Sequence, residues 1–194
     1  MRAGYTCGVA VTSTMDFLIE SLKNFKTVGA VAACSSIAAG RMTKPVDFAR
    51  AMFVVELGGG TGVITKEILA RMRPDAELIV FEINRFFITA LSTIDDPRLT
   101  VVGDSAANLG AYLASRGIEK VDAVISTLPI GTMSRALRGQ VLEEVVGALD
   151  SEGRYVQIQY SLLSRKEIRR KFPKVVLDFT PLNFPPAFFY ICER

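Results

Sequence analysis

From Phe53 onward the chain alternates short apolar runs with helical stripes, and this alternation constrains the fold more than any other feature. Phe53–Leu57 is an apolar run that ends in glycines, which predicts a buried strand. Residues 63–72 carry helical spacing in Val63, Ile64, Ile68, Leu69 and Met72. The same patterns predict strands at 77–81, 99–102, 121–125 and 154–159, and helices at 85–94, 105–115, 134–149 and 164–171. Five such βα units argue for an α/β fold with a parallel sheet and helices on both faces. Two last strands, at 175–179 and 188–192, are joined only by the loop 180–187. That loop is too short for a parallel crossover, so this pair is expected to be antiparallel. Residues 1–50 read instead as helices and loops, an N-terminal helical extension or lid ahead of a domain spanning 51–194.

In sheets of this kind ligands bind beyond the carboxyl ends of the parallel strands. That rule singles out the loops after Leu57, Phe81, Val102, Ile125 and Gln159, together with the final hairpin loop. The first of them, Glu56-Leu57-Gly58-Gly59-Gly60-Thr61-Gly62, follows a strand and opens a helix. Glycines there let the backbone turn sharply and let a ligand approach the main chain. A dinucleotide-type GxGxxG would need a small residue where Val63 stands, and a Walker loop would need Gly-Lys-Ser/Thr. What remains is acid-x-Gly-x-Gly-x-Gly, which by itself is also compatible with a tight turn. Glu82 closes the second strand twenty residues past Gly62, where a carboxylate can accept from both ribose hydroxyls of a nucleotide. Gly103-Asp104-Ser105 ends the third strand and offers an acceptor for an exocyclic amine, or a helix N-cap, or both.

The chain has no histidine. This excludes Ser-His-Asp and Cys-His machinery and His-ligated metal sites, and no metal is expected. Chemistry must run without an imidazole, or the reactive partner must come from a cofactor. Cys7, Cys34 and Cys192 are odd in number and show no CxxC spacing, so free thiols are expected. The net charge of +3 is concentrated in residues 1–50, where Arg2, Lys23, Lys26, Arg41, Lys44 and Arg50 face only Asp16, Glu20 and Asp47. That excess is too mild for a general nucleic-acid binder and is compatible with weak attraction to an anionic surface. Mean hydropathy is +0.30, yet no run reaches the ~18–20 apolar residues of a membrane span. Nor do the first residues form a signal-peptide core, so a cytoplasmic location is expected, with at most peripheral attachment to the inner face of the membrane. Thr14 can cap a helix in which Met15, Leu18, Ile19, Leu22 and Phe25 or Lys26 recur. Residues 14–26 thus read either as an interfacial helix on anionic lipid or as a lid over the cofactor. Arg169 to Lys174 belong at the far end of the helix after the fifth strand, and read as a solvated face.

These residues together resemble the class I S-adenosylmethionine-dependent methyltransferases over residues 52–193, with motif I at Val54 to Gly62 and the second acidic motif at Phe81-Glu82-Ile83-Asn84. The resemblance implies a Rossmann-like, seven-stranded, mostly parallel sheet with an antiparallel last strand. It implies S-adenosyl-L-methionine as cofactor, held by Glu56, Gly58, Gly60, Thr61, Gly62, Glu82, Ile83, Asn84, Gly103, Asp104, Ser105 and Ser126. More narrowly the chain is similar to bacterial phospholipid N-methyltransferases, which methylate phosphatidylethanolamine, and to their relatives the rRNA adenine dimethyltransferases. Phe25 to Val31 with Ser35-Ser36, Gly153 to Tyr160, and Asn183-Phe184-Pro185-Pro186-Ala187 carry that narrower likeness. Adenine-N6 enzymes show Asn-x-Pro-aromatic after the fourth strand, where the aromatic stacks on a flipped base. Here the segment is Ser126-Thr127-Leu128-Pro129-Ile130, with Ser126 and Ile130 in place of the Asn and the aromatic. A base would lose a stacking platform worth ~1–3 kcal/mol. The phospholipid enzymes resemble Ser-x-Leu-Pro at this place.

The reaction implied is SN2 transfer of a methyl group from a sulfonium to a neutral lipid amine. Free in water such an amine titrates near ~10; burial and a neighbouring cation lower that value. The cofactor carries the activation, so no general base is required. The implied catalytic residues are Tyr160, Ser126, Leu128 and Pro129. Tyr160 offers a hydroxyl to the headgroup and a ring to a methylated ammonium, or simply packs at a strand end. Phe184 and Phe188 are weaker aromatic candidates. An RNA adenine or small-molecule methyltransferase, and a cofactor-binding protein without turnover, remain open as alternatives, because fold alone does not separate them.

Overall fold

A computed structural model describes residues 28–183 and 185–194, with side chains from residue 36 onward. The helix expected over 14–26, Arg2, Cys7 and Phe184 lie outside the described residues. In chain order the elements are α1 (Val28–Thr43), β1 (Phe53–Leu57), α2 (Val63–Arg71), β2 (Glu77–Phe81), α3 (Arg85–Leu91) and β3 (Leu99–Val102). A single 3-10 turn at Ala106–Asn108 then runs into α4 (Leu109–Ser115). Next come β4 (Val121–Ser126), α5 (Arg135–Ala148), β5 (Leu149–Gln159), α6 (Arg165–Lys171), β6 (Lys174–Thr180) and β7 (Ala187–Glu193).

The strands form one seven-stranded sheet in the order β3-β2-β1-β4-β5-β7-β6. β1 to β5 pair in parallel, while β7 inserts antiparallel between β5 and β6. This is the α/β, Rossmann-like architecture expected from the sequence. The strand order reverses between β1 and β4, and a cleft opens at such a reversal beyond the carboxyl ends.

Alternation along each strand sends successive side chains to opposite faces. Val55 and Leu57 pack with Leu109, Val141, Val145 and Ile168 beneath α4, α5 and α6. Val54 packs with Met42, Ile68 and Leu91 beneath α1, α2 and α3. Burial on both faces is why the strands read as unbroken apolar runs. Packing continues across the expected boundary at residue 50, because Met42, Phe48 and Ala51 share the cluster of Val54. Arg41 of α1 also pairs with Asp178 of β6 at 2.7 Å.

Element ends differ from expectation for local reasons. The helix expected to run to residue 94 stops at Leu91, where the Ser92 and Thr93 hydroxyls donate back to the Ile88 and Ala90 carbonyls. The helix expected from Ser105 begins as a 3-10 turn, with Ser105 Oγ accepting from Ala107 N at 3.2 Å. β5 starts at Leu149 instead of residue 154, across a register shift against β4.

The helix that leaves the first glycine loop, α2, is held at its far end by Arg98. The guanidinium donates to the carbonyls of Leu69 at 2.9 Å, Met72 at 2.9 Å and Arg73 at 3.2 Å, and Asp96 fixes it from the other side at 2.7 Å. Carbonyls at a helix C-terminus otherwise lack partners. Arg98→Ala is expected to lower the urea midpoint by the equivalent of about 1.5–3 kcal/mol, the range for hydrogen bonds to a charged group. Arg98→Lys should recover only part, because lysine lacks the fork; an unchanged midpoint in the alanine variant would refute this anchoring.

Candidate functional site

The turn after β1 passes through a narrow gap. Gly58 N donates to Phe81 O at 2.8 Å, and Gly58 adopts φ of 83°, in the left-handed region. A Cβ there would lie 2.8 Å from Thr127 Oγ1. At Gly59 a Cβ would meet Val80 Cγ1 at 2.5 Å. Gly60 is the open side of the turn, since a Cβ there meets nothing within 4 Å. Thr127 joins the β4 loop to this turn, its N–H donating to Leu57 O at 3.0 Å and its hydroxyl to Gly58 O at 2.6 Å.

Two carboxylates flank the turn. Glu82, just past β2, accepts from Gly60 N at 3.0 Å through Oε2, and from Ile83 N at 2.9 Å and Asn84 N at 2.8 Å through Oε1. Oε2 therefore keeps a lone pair for a further donor. Asn84 caps α3 by accepting from Phe86 N at 2.9 Å, and Ile83 is 65% exposed beside it. Glu56 lies in the middle of the sheet with no exposed surface. Its Oε2 accepts from Thr65 Oγ1 at 2.7 Å, while Oε1 has no hydrogen-bond partner among the described residues. Burial pushes the Glu56 carboxyl up to about 8, against the pull of the Thr65 bond and with the Glu82 charge adding to the rise.

Asp104 and Ser105 stand at the end of β3. The Asp104 carboxylate accepts from Ser105 N at 2.6 Å and Asn108 Nδ2 at 2.9 Å, while Ser105 is the residue that caps the 3-10 turn. Gly103 adjoins them, and Thr61 and Gly62 lead into α2.

The other side of the cleft is built from the ends of β4 and β5. Ser126 is fully buried, accepts from Leu128 N at 3.3 Å and hydrogen-bonds Tyr155. Like Glu56, it has no exposed surface, and its bond to Leu128 N steadies the loop that follows β4. Counting back two residues from Pro129, Thr127 stands where adenine enzymes carry their Asn. Ile130, at the aromatic's position, is buried too. Leu128 and Pro129 are half-buried at the rim.

Two residues that sequence reasoning passed over hold this loop. Gln157 Nε2 donates to Leu128 O at 3.0 Å, and Gln159 Nε2 donates to the same oxygen at 2.8 Å. Gln157 Oε1 accepts from Tyr155 OH at 2.6 Å, and Gln159 Oε1 accepts from Gly131 N at 3.1 Å. Both lone pairs of the Leu128 carbonyl are thus taken. The available signal was a pair of glutamines two apart in the buried half of β5, Tyr155–Gln159, since buried amides must find partners.

Tyr160 follows β5 directly and is 51% exposed. Its hydroxyl hydrogen-bonds the Asn183 side chain, and Asn183 Nδ2 donates to Pro185 O at 2.8 Å. The strand-end tyrosine and the hairpin loop therefore meet. Phe188 instead packs on Phe179, with ring centroids 5.0 Å apart. At the far end of α6, Lys171 pairs with Glu143, and Lys174 at the start of β6 pairs with Glu193, away from the cleft. Cys192 is a free, buried thiol pushed up to about 12 by that burial.

The chain is 32% identical over 180 residues to the ornithine lipid N-methyltransferase of Singulisphaera acidiphila, covering 91% of this chain and 94% of that protein. It is 36% identical to the ribosomal RNA small subunit methyltransferase H of Burkholderia vietnamiensis over 73 residues, which is 38% of this chain and 23% of that protein. No protein-family model matches. Among solved structures, an rRNA methylase from Streptococcus thermophilus superposes with a TM-score of 0.60 at 16% identity, covering 81% of this chain and 94% of that one. Spermidine synthase from Thermotoga maritima superposes with a TM-score of 0.59 at 18% identity, over 80% of this chain and 60% of that one. These two likenesses show the fold alone.

The raised Glu56 carboxyl predicts a pH dependence. Its folded value of about 8 lies above the ordinary carboxyl value of 4.5, so the folded protein binds the extra proton between them. Ligand-free stability should fall as pH rises through that window and level off above it. Glu56→Gln removes the titration while retaining a partner for Thr65. The variant's melting temperature should gain on wild type from pH 5 to pH 8.5; a constant difference would contradict the assignment.

Proposed function

We propose, from the premise that this chain belongs to the ornithine lipid N-methyltransferase family and is a class I S-adenosylmethionine-dependent methyltransferase, that it N-methylates a lipid-borne aliphatic amine. Phosphatidylethanolamine and ornithine lipid are the two headgroups to compare, since both present a primary amine. The observation that carries the acceptor reading is the filled Leu128 carbonyl, together with the buried Ile130. An adenine amine would find neither a free carbonyl nor a stacking ring at this loop.

The residues fit the cofactor. An orphaned buried carboxylate oxygen on Glu56 and a second carboxylate, Glu82, flank one open turn, and that pair suits a cationic ligand. Gly58, Gly60, Thr61 and Gly62 would give it their backbone. Glu82 would accept from ribose hydroxyls through its remaining lone pair, with Ile83, Asn84, Gly103, Asp104 and Ser105 bordering the adenine. When bound, S-adenosylmethionine supplies a methyl group already activated on a sulfonium. The chain's own task is then to position and to exclude water, holding reacting atoms ~3–3.5 Å apart. Tyr160, steadied by Asn183, would receive the headgroup through its hydroxyl and its ring face, while Leu128 and Pro129 form the rigid wall opposite. An ammonium held among these half-buried groups loses hydration, which favours the neutral amine needed for attack. Residues 14–26 are proposed as a peripheral contact with anionic membrane.

The deciding test is transfer of tritiated methyl groups by the full chain to vesicles of phosphatidylethanolamine, to vesicles of ornithine lipid and to RNA. Label in a lipid amine is expected, and label in RNA alone would overturn the proposal. Glu82→Ala should weaken cofactor binding in calorimetry at least tenfold, the equivalent of about 1.4 kcal/mol. Retained affinity would contradict the ribose role.

A further inference from the structure

We infer that the rim formed by the β5–α6 connection and the first turns of α5 and α6 is the surface on which this protein rests on an anionic bilayer; the inference rests on the lipid-amine reading above. Leu162 and Leu163 are exposed there, Leu163 by 75%, and Leu137 in the first turn of α5 is exposed as well. Their exposure is built into an ordered connection. Arg165 N donates to Leu162 O at 3.1 Å and Ile168 N to Ser164 O at 3.0 Å. The core position of α6 is filled by Ile168, which is fully buried, and Glu167 ties α6 to Arg138 of α5. The leucines are therefore held outward by the fold, with no place left for them inside.

Charge points to the occupant. Arg135, Arg165 and Lys166 stand exposed on the same two first turns, and none of the three makes an ion pair among the described residues. Aliphatic tips ringed by cations match the boundary of a bilayer, where leucines enter the acyl region and cations meet phosphates. Two or three leucines are too few for the apolar centre of a stable protein interface. Helices after parallel strands begin at the carboxyl edge of the sheet, so this rim borders the cleft, and Tyr160 lies three residues before Leu163. Resting on the rim sets Tyr160 at headgroup depth. No helix among the described residues is long and apolar enough to cross a membrane, so this contact is peripheral.

The test uses the full chain carrying Leu162→Glu/Leu163→Glu, with Leu163→Ser as a milder variant and Leu18→Glu/Leu22→Glu for comparison. Three readouts are taken. They are co-sedimentation with phosphatidylglycerol–phosphatidylethanolamine vesicles, methyl transfer to vesicle-borne lipid, and methyl transfer to a short-chain, monomeric phosphatidylethanolamine. Calorimetric cofactor affinity reports folding. Vesicle affinity and vesicle transfer should fall at least tenfold in the double glutamate variant and less in the serine variant. Transfer to the monomeric lipid and cofactor affinity should stay within twofold of wild type. Unchanged vesicle binding, or loss seen only in the Leu18→Glu/Leu22→Glu protein, would overturn the rim. Equal loss on monomeric lipid would also overturn it, placing the leucines in the acceptor pocket or under another segment. If the rim variants lose vesicle binding while wild type labels no lipid amine, the rim stands and the lipid-methylation reading falls.

Discussion

One backbone turn, forced through a gap between β2 and the β4 loop, organises the whole carboxyl edge. Gly58 and Gly59 pass so close to Thr127 of the β4 loop and Val80 of β2 that a Cβ at either would overlap them. Because the turn sits that deep, its next residue meets Glu82, and its carbonyl meets the Thr127 hydroxyl. The ends of β1, β2 and β4 are thereby locked in one arrangement. A looser loop would leave the same residues present but unassembled, and pre-organisation of this kind is what a positioning enzyme must supply.

The β4–β5 side of the cleft is held by a second device of different character. Where the β1–β2 side uses glycine and backbone, this side uses buried amides. Gln157 and Gln159 converge on one carbonyl, and the chain of bonds continues to Tyr155 and Ser126 in one direction and Gly131 in the other. A buried polar network fixes geometry strongly because each member left unpaired would be costly. The price is versatility: a carbonyl spent on the scaffold is no longer available to a substrate.

Most of the fold was legible in the sequence, and the reason is physical. Strands buried on both faces are apolar at nearly every position, so Phe53–Leu57, with Glu56 as its single polar residue, and the Leu78–Phe81 run of β2 announce themselves. Helix ends were less legible, since they turn on whether Ser92, Thr93 or Ser105 bonds back to the main chain. In the site, the spacing of Glu56, the glycines and Glu82 was readable because backbone geometry dictates it. Ser126 was readable as a strand-end hydroxyl, but its burial was not, since a hydroxyl there looks exposed until its neighbours are known. Gln157 and Gln159 stayed silent for the converse reason, as an amide in a strand names no partner. The meeting of Tyr160 with Asn183 depends on β7 inserting between β5 and β6, an order that pairwise periodicity does not encode.

The lone oxygen of Glu56 has a consequence for the protein's life in a cell. Without a ligand, the folded state carries a desolvated carboxyl that Thr65 satisfies on one oxygen while the other has no partner among the described residues. A cationic ligand that pairs with it binds only the folded form, and at a hundredfold excess over its dissociation constant adds about 2.7 kcal/mol to stability. Differences of that size change the fraction of chains exposed to proteases several-fold. On the proposed reading of the site, the abundance of the enzyme is thereby coupled to the supply of its own methyl donor, so that scarcity of the donor thins the catalyst along with the reaction.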